Sequence, residues 1–420
     1  MVLAYGASEA LFSLPPELEE IKRLTRRIVD EQCIPLEQKF LTGDPAAAEG
    51  GMGELMVDGS LPPEDYARLR RISEETGLYT MHLPIEHGGG GFGVLGNFVV
   101  AEEIQRSIVQ LPVAYVPIPL YACSEEQKER YLYPVIRSEK LSAFAQTEPQ
   151  AGSDPGNSMQ TRAVRRGDCW VLNGSKMFIS GADEADFLMV LAVTDPEKRQ
   201  RGGITMFLVD RGAPGVSIAP INVWLTPRRP HQFYVYFDDV EVPDANVLGD
   251  VGSGFLLGQQ WLAIQDRLTR GSLATGILTR ALEMAVDWAK QRITFGQPLA
   301  ERQAIQWMLV DVFIDLKSIR AISYECAARA DASLKVGSAV LPEDVRVLAS
   351  MAKYVGGNWG HRSIDKIMQI FGGLGETLEM PIPHWYRQLR HGRIGGGTDE
   401  IQRMLIARAV LKHGKSLWQA

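Results

Sequence analysis

The apolar residues of this chain change their period twice, and that change limits the fold more than any other feature. From residue 16 to about 143 they recur at three- and four-residue intervals, as in Leu18, Ile21, Leu24 and Ile28 after Pro16-Glu17. That spacing predicts an amphipathic helix entered through proline. Residues 66–76, 94–108 and 125–136 read as further helices, and the glycine- and alanine-rich stretch 41–61 as a surface insertion between helices. From about residue 144 to 247 the period falls to two. Asn173-Gly174-Ser175, between apolar runs at 169–172 and 176–180, predicts a hairpin, because Asn-Gly accepts the positive φ of a tight turn. Strand candidates at 187–193, 204–209, 216–220 and 232–238 fit a small antiparallel barrel or sandwich. Helical spacing then returns over 254–293, 299–333, 342–371 and 398–413, which argues for a bundle. Thr398 or Asp399 is the expected N-cap of the last helix. The expected fold is multidomain α+β: a helical domain over 1–143, an antiparallel β domain over 144–247, and a C-terminal four-helix bundle over 248–420.

Composition narrows the function classes. The 44 basic and 51 acidic residues leave a net charge of -7 with no basic block, which excludes a nucleic-acid partner. No apolar run reaches the ~20 residues needed to span a bilayer. The first residues, MVLAYGASEA, lack a basic start followed by an apolar core, so a cytoplasmic protein is expected. Cys33, Cys123, Cys169 and Cys326 form no CxxC pair and read as reduced, packed thiols, and the seven histidines show no metal spacing. Gly88, Gly90 and Gly93 satisfy GxGxxG, but Pro84 interrupts the preceding segment and no βαβ alternation surrounds it. A loop between helices is expected there.

Two segments carry recognisable chemistry. FAQTEPQAGSD (144–154) sets the Thr147 and Ser153 hydroxyls on a turn after a short strand, where they and nearby N–H groups can bond a ring edge or a phosphate. Arg292 stands just before Phe295-Gly296, and a guanidinium fork suits a diphosphate. With LNGSKMFISG (172–181), RITFGQPLAERQ (292–303), QIFGGLGET (369–377) and GGGTDEIQR (395–403), these segments resemble, in order, the signatures of the acyl-CoA dehydrogenase family. The resemblance covers nearly the whole chain. It implies FAD bound by Gln146, Thr147 and Ser153, and by Phe178, Ile179 and Ser180 where the family usually has Trp-Ile-Thr. Phenylalanine and serine keep a flat apolar face and a hydroxyl. It implies a further cofactor set, Arg292, Phe295, Gln303, Gln369, Gly372 and Gly373, acting across a subunit interface, with Thr398 and Glu400 from the closing signature. A homo-oligomer follows, typically a homotetramer built as a dimer of dimers. The implied substrate is an acyl-CoA, oxidised to the trans-2-enoyl-CoA, with an electron-transfer flavoprotein as acceptor and no metal.

The resemblance also bears on the base. Many members place a glutamate immediately before the Gly-Thr of the closing signature; here that position is Gly396, which cannot take a proton. A second branch carries its base on an earlier helix, directly before an arginine. The matching pair is Asp266-Arg267, so Asp266 is the implied base and Arg267 the residue that organises the site, with Ser153, Arg267 and Gly396 implied at the substrate. Aspartate is one methylene shorter than the glutamate usual there. Gln265 and Ile264 occupy places where some relatives contact CoA. A structural reading competes: Asp266 and Arg270 stand four residues apart, the spacing of a helical ion pair. Two alternatives stay open. One is a flavin enzyme of this fold with other chemistry, such as a monooxygenase, nitroalkane oxidase or desulfinase. The other is a non-catalytic subunit of a mixed dehydrogenase.

Overall fold

In the computed structural model, which describes residues 14–42, 62–226, 230–335 and 341–417, proline opens the first helix, α1 (Pro16–Ile28). Proline has no N–H to lose at a helix start, and its fixed φ already fits. A short α2 (Glu37–Thr42), α3 (Pro63–Glu75) and α4 (Gly93–Ile104) follow. A π turn, Lys128–Leu132, joins α5 (Glu125–Gln127) to α6 (Tyr133–Ile136). The expected insertion at 41–61 falls almost wholly outside the described residues. The GxGxxG run is a loop that ends at Gly93, the first residue of α4, in keeping with the expected loop between helices. Beyond it the Val94 and Leu95 N–H groups donate to the Asp331 carboxylate at 2.7 and 2.9 Å, so a protein anion already occupies the start of α4.

The middle of the chain forms β1 (Ser142–Ala145), then a short α7 (Pro155–Ser158), then β2 (Arg162–Arg166) and β3 (Cys169–Ser180). After them come β4 (Phe187–Val193), β5 (Ile204–Asp210), β6 (Val216–Ile221), β7 (Gln232–Pro243) and β8 (Val247–Leu248). Their order in the sheet is β6-β7-β3-β2-β4-β5-β8, with β1 beside β4. Most pairs are antiparallel, while β1 and β2 run parallel to β4. Every residue of β4 is buried. Phe187, Met189 and Leu191 pack with Tyr131 and Leu132 of the N-terminal region, and Leu188, Val190 and Ala192 pack with β3 and β7.

One expectation fails here. Asn173-Gly174 makes no hairpin; β3 runs straight through it, and β2 and β3 are instead joined by Gly167-Asp168. The register against β7 slips between Leu172 and Gly174. Asn173 Nδ2 donates to Asp239 Oδ1, and Asp239 N–H returns a bond to Asn173 Oδ1, each 2.9 Å. Gly174 has φ +147, and a Cβ there would lie 2.6 Å from the Thr161 Cα. The dipeptide serves a bulge, at which Gly174 takes a positive φ that glycine alone adopts freely.

The rest is helical: α8 (Gly254–Trp261), a π turn (Leu262–Arg267), and α9 (Thr269–Gln291). A small hairpin of β9 (Ile293–Thr294) and β10 (Gln297–Pro298) leads to α10 (Gln303–Lys335). Then come α11 (Glu343–Tyr354), a π turn (Val355–Trp359), α12 (Gly360–Phe371), α13 (Ile382–His391) and α14 (Asp399–His413). Thr398 is the N-cap of α14, accepting from the Ile401 N–H. The central helix is α9, where Gly271 through Leu278 are all buried. A Cβ at Gly276 would meet the Glu102 carbonyl oxygen at 2.3 Å, so α4 crosses in close contact. Among the described residues no helix is long and apolar enough to cross a membrane, and no group of His, Cys, Asp or Glu could hold a metal ion.

Candidate active site

A cleft of about 1960 Å³ separates the middle sheet from the bundle. Its sheet wall begins at the end of β1. The Thr147 carbonyl accepts from the Met177 N–H at 2.8 Å, and the Gln146 carbonyl accepts from Lys176 Nζ at 3.2 Å. Lys176 also pairs with Glu148 at 2.8 Å, both side chains fully buried. Burial pushes Lys176 down to about 8 against the pull of Glu148, and the pair ties the 146–148 turn to β3. Gln146 Oε1 is buried without a partner. Phe178 lines the same wall, half exposed and at φ +59. Positive φ costs an aromatic residue on the order of 1–2 kcal/mol, and such strain persists where the surroundings impose it. Ile179 is buried, and Ser180 Oγ accepts from Gln232 Nε2 at 2.8 Å.

The helical wall is the π turn Leu262–Arg267. A π turn sets its side chains out of step with an α-helix, and here Asp266 and its neighbour Arg267 both line the cleft. Gln265 is occupied at both ends of its amide, accepting from the Ile118 N–H and donating to the Val116 carbonyl, each at 2.7 Å. Ile264 is buried in the core. Thr269 Oγ1 donates to the Gln265 and Asp266 carbonyls at 2.7 and 2.9 Å, bonding the helix where its ladder is interrupted.

Asp266 Oδ1 accepts from Arg270 Nη2 at 2.8 Å. The i,i+4 pair therefore exists, but not on a solvated face: the two side chains are 13% and 12% exposed. Oδ2 is buried with no partner. It lies against Gly396, where an added Cβ would fall 1.5 Å from it. The two places at which the sequence signatures put a base thus converge on one spot. Only one can carry a side chain. Arg267 is buried beside them with an unpartnered Nε; burial lowers its pKa, and Asp266 opposes that shift. Burial and then Arg270 push His391 down to about 4, so it stays neutral.

Sequence reasoning missed Lys353 of α11. It is fully buried, its Nζ has no partner, and Arg270, Asp399, Asp266 and Arg267 act on its charge. No local signal marks it, since a helical lysine is ordinarily solvated. Desolvation pushes it down to about 8, against ~10.4 in an unfolded chain. The folded state therefore binds this proton poorly. The penalty is complete below the folded value and fades as pH climbs through it towards ~10.4. Lys353→Met is expected to raise stability by about 1–3 kcal/mol at pH 7, with the gain shrinking by pH 10. Urea melts at the two pH values check it.

The residues named from sequence fall into two groups. Gln146, Thr147, Ser153, Phe178, Ile179, Ser180, Asp266, Arg267, Gly396 and Thr398 line the one cleft. Arg292, Phe295, Gln303, Gln369, Gly372 and Gly373 do not; all are exposed, Phe295 at 99%. They gather where α9 and α12 end together, with Trp288 stacked on Phe371 at 5.5 Å and Arg292 over Trp288 at 5.8 Å. A single chain does not bring the two groups together. Glu400 is exposed beside Thr398 and outside the cleft lining.

Comparison with known proteins agrees with the order of the three domains. Residues 15–139, 143–240 and 252–411 match, in turn, the N-terminal, middle and C-terminal domains of acyl-CoA dehydrogenase. The (R)-benzylsuccinyl-CoA dehydrogenase of Thauera aromatica is 33% identical, covering 96% of this chain and 98% of its own. The solved butyryl-CoA dehydrogenase of Megasphaera elsdenii superposes with a TM-score of 0.79 at 29% identity, covering 95% and 99% of the two chains. A chain from a study of the electron transferring flavoprotein of Acidaminococcus fermentans superposes equally well, with a TM-score of 0.79 at 28% identity and 96% and 99% coverage.

Proposed function

The chain belongs to the acyl-CoA dehydrogenase family, an oxidoreductase class, and on that premise we propose that it oxidises an acyl-CoA to the trans-2-enoyl-CoA with Asp266 as the base. The observation that supports this reading best is the state of the Asp266 carboxylate. One oxygen is held by Arg270 and the other is buried, unpartnered and open towards Gly396. A carboxylate fixed at one atom and withheld from water at the other is suited to abstracting the α proton of a thioester. Asp266 Oδ2 takes the place that a side chain at Gly396 would fill, and Arg267 lines the cleft beside it.

The sheet wall fits FAD. Gln146 offers a buried acceptor without a partner, Thr147 and Ser153 offer hydroxyls, Phe178 offers a flat apolar face, and Ile179, Ser180 and Thr398 complete the lining. Bound FAD supplies the two-electron acceptor for the hydride leaving the β carbon. The second group, Arg292, Phe295, Gln303, Gln369, Gly372 and Gly373, then meets the cofactor of a partner subunit in a dimer of dimers. Exposed Trp307, Val310, Phe313 and Ile314 on α10, an apolar stripe at helical spacing, support such an assembly. An electron-transfer flavoprotein is the proposed acceptor, in keeping with the relative from Acidaminococcus fermentans.

Anaerobic mixing of the FAD-loaded protein with a panel of acyl-CoA thioesters tests the reading. Bleaching of the flavin together with enoyl-CoA formation is the expected result. A flavin that no thioester reduces would refute it.

A further inference from the structure

The end of the cleft beside Asp266 carries more positive charge than α-proton removal uses. Arg267 and Arg270 both line it, against the single carboxylate of Asp266. Arg267 is 8% exposed and its Nε has no partner. Arg270 gives Nη2 to Asp266, while its Nε is buried and unpartnered. Lys353 stands close by with a bare Nζ. The next carboxylate, Asp399, gives Oδ2 to Arg393 Nε at 2.8 Å and Asn358 Nδ2 at 3.0 Å, and its charge acts on Lys353.

Withdrawing a guanidinium from water costs several kcal/mol unless an anion meets it. The CoA phosphates are poor candidates for that anion. They suit the open part of the cleft, where Arg346 is exposed, whereas Arg267 and Arg270 are buried at the carboxylate. The thioester itself is neutral. We propose that the acyl group carries a second carboxylate, bound by Arg270 with Arg267, so that the substrate is the CoA half-thioester of a short dicarboxylic acid. Arg270 Nη2 already lies 2.8 Å from Asp266 Oδ1. An anion sharing that guanidinium therefore sits on the order of 4–6 Å from the base, a span of only a few C–C bonds. Succinyl to adipoyl chains fit that reach. The inference rests on the dehydrogenase reading of the cleft.

Calorimetric titration of the FAD-loaded protein tests it, using succinyl-, glutaryl- and adipoyl-CoA, each against a neutral partner in which an isopropyl group replaces the carboxylate. At least one carboxylated thioester is expected to bind about 10- to 100-fold tighter than its partner, the yield of a charge-assisted contact. The ratio is expected to fall below ~3 in Arg270→Met and to be partly kept in Arg270→Lys, since only the charge survives there. Ratios at or below one for all three pairs in the wild-type protein would overturn the proposal. So would an undiminished ratio in a folded Arg270→Met protein. Affinity is titrated in the Asp266→Asn protein as well as in the wild type, and bleaching is read apart from it, which separates the two readings. A carboxylate preference without flavin bleaching refutes the oxidation and leaves the anion site standing. Bleaching by neutral thioesters that bind equally well does the reverse.

Discussion

Replacing Asp266 by asparagine is expected to slow flavin reduction by acyl-CoA about 10²–10⁴-fold, the usual yield of a positioned general base. Asparagine keeps the volume of the side chain and still offers Oδ1 to Arg270 Nη2. What it loses is the basic oxygen that faces Gly396. The effect should therefore fall on the rate of bleaching, with thioester affinity changed less than ~10-fold, as expected of an interaction made only in the transition state. Anaerobic stopped-flow measurement separates rate from affinity, and a thermal melt confirms the fold. A variant that bleaches at the wild-type rate would remove Asp266 from the chemistry.

A methyl group at position 396 should be nearly as damaging. Gly396 has φ +70, and its added Cβ would sit 1.5 Å from Asp266 Oδ2, a distance no packing tolerates. Either the carboxylate swings away or the 395–398 turn shifts. Gly396→Ala is expected to cost about 1–3 kcal/mol of stability through backbone strain and overpacking, and about 10²-fold in bleaching rate, the yield of a displaced catalytic group. The collision also indicates its own remedy. Asp266→Gly combined with Gly396→Glu returns one carboxylate to the shared space and should recover at least ~10-fold of the rate lost in Asp266→Gly alone. Full activity in Gly396→Ala, by flavin bleaching, would show that Oδ2 needs no open space there.

Local chemistry made the three-domain layout legible. Helical and strand periods differ sharply, and the Pro16 and Thr398 helix starts lie within a few residues of their signals. Asn173-Gly174 signals a turn or a bulge alike, because both favour glycine at a positive φ. Only the cross-strand partners Asp239 and Thr161 decide between them. Helix α13 escaped because Pro381 and Pro383 punctuate a segment whose first turn tolerates proline. At Asp266 the ion pair with Arg270 forms, but inside the cleft, so the helical spacing leaves the proposed role as base standing. Arg270 is marked only as a helical ion-pair partner, and Lys353 carries no mark in the sequence. Their meaning comes from burial imposed by helices distant along the chain. The motif names the Arg292 group as a set, while its position outside the cleft that Thr147 and Ser153 line depends on how the bundle is laid out.

Strand β4 has no outer side. Alternate residues along it serve two different interiors, one shared with the N-terminal helices and one closed by β3 and β7. The borders at which the chain changes texture are therefore not seams along which it could be cut. Removing the first 140 residues would strip water-shy surface from Phe187, Met189 and Leu191, so the sheet that carries Phe178 depends for its solubility on helices that supply none of the proposed chemistry.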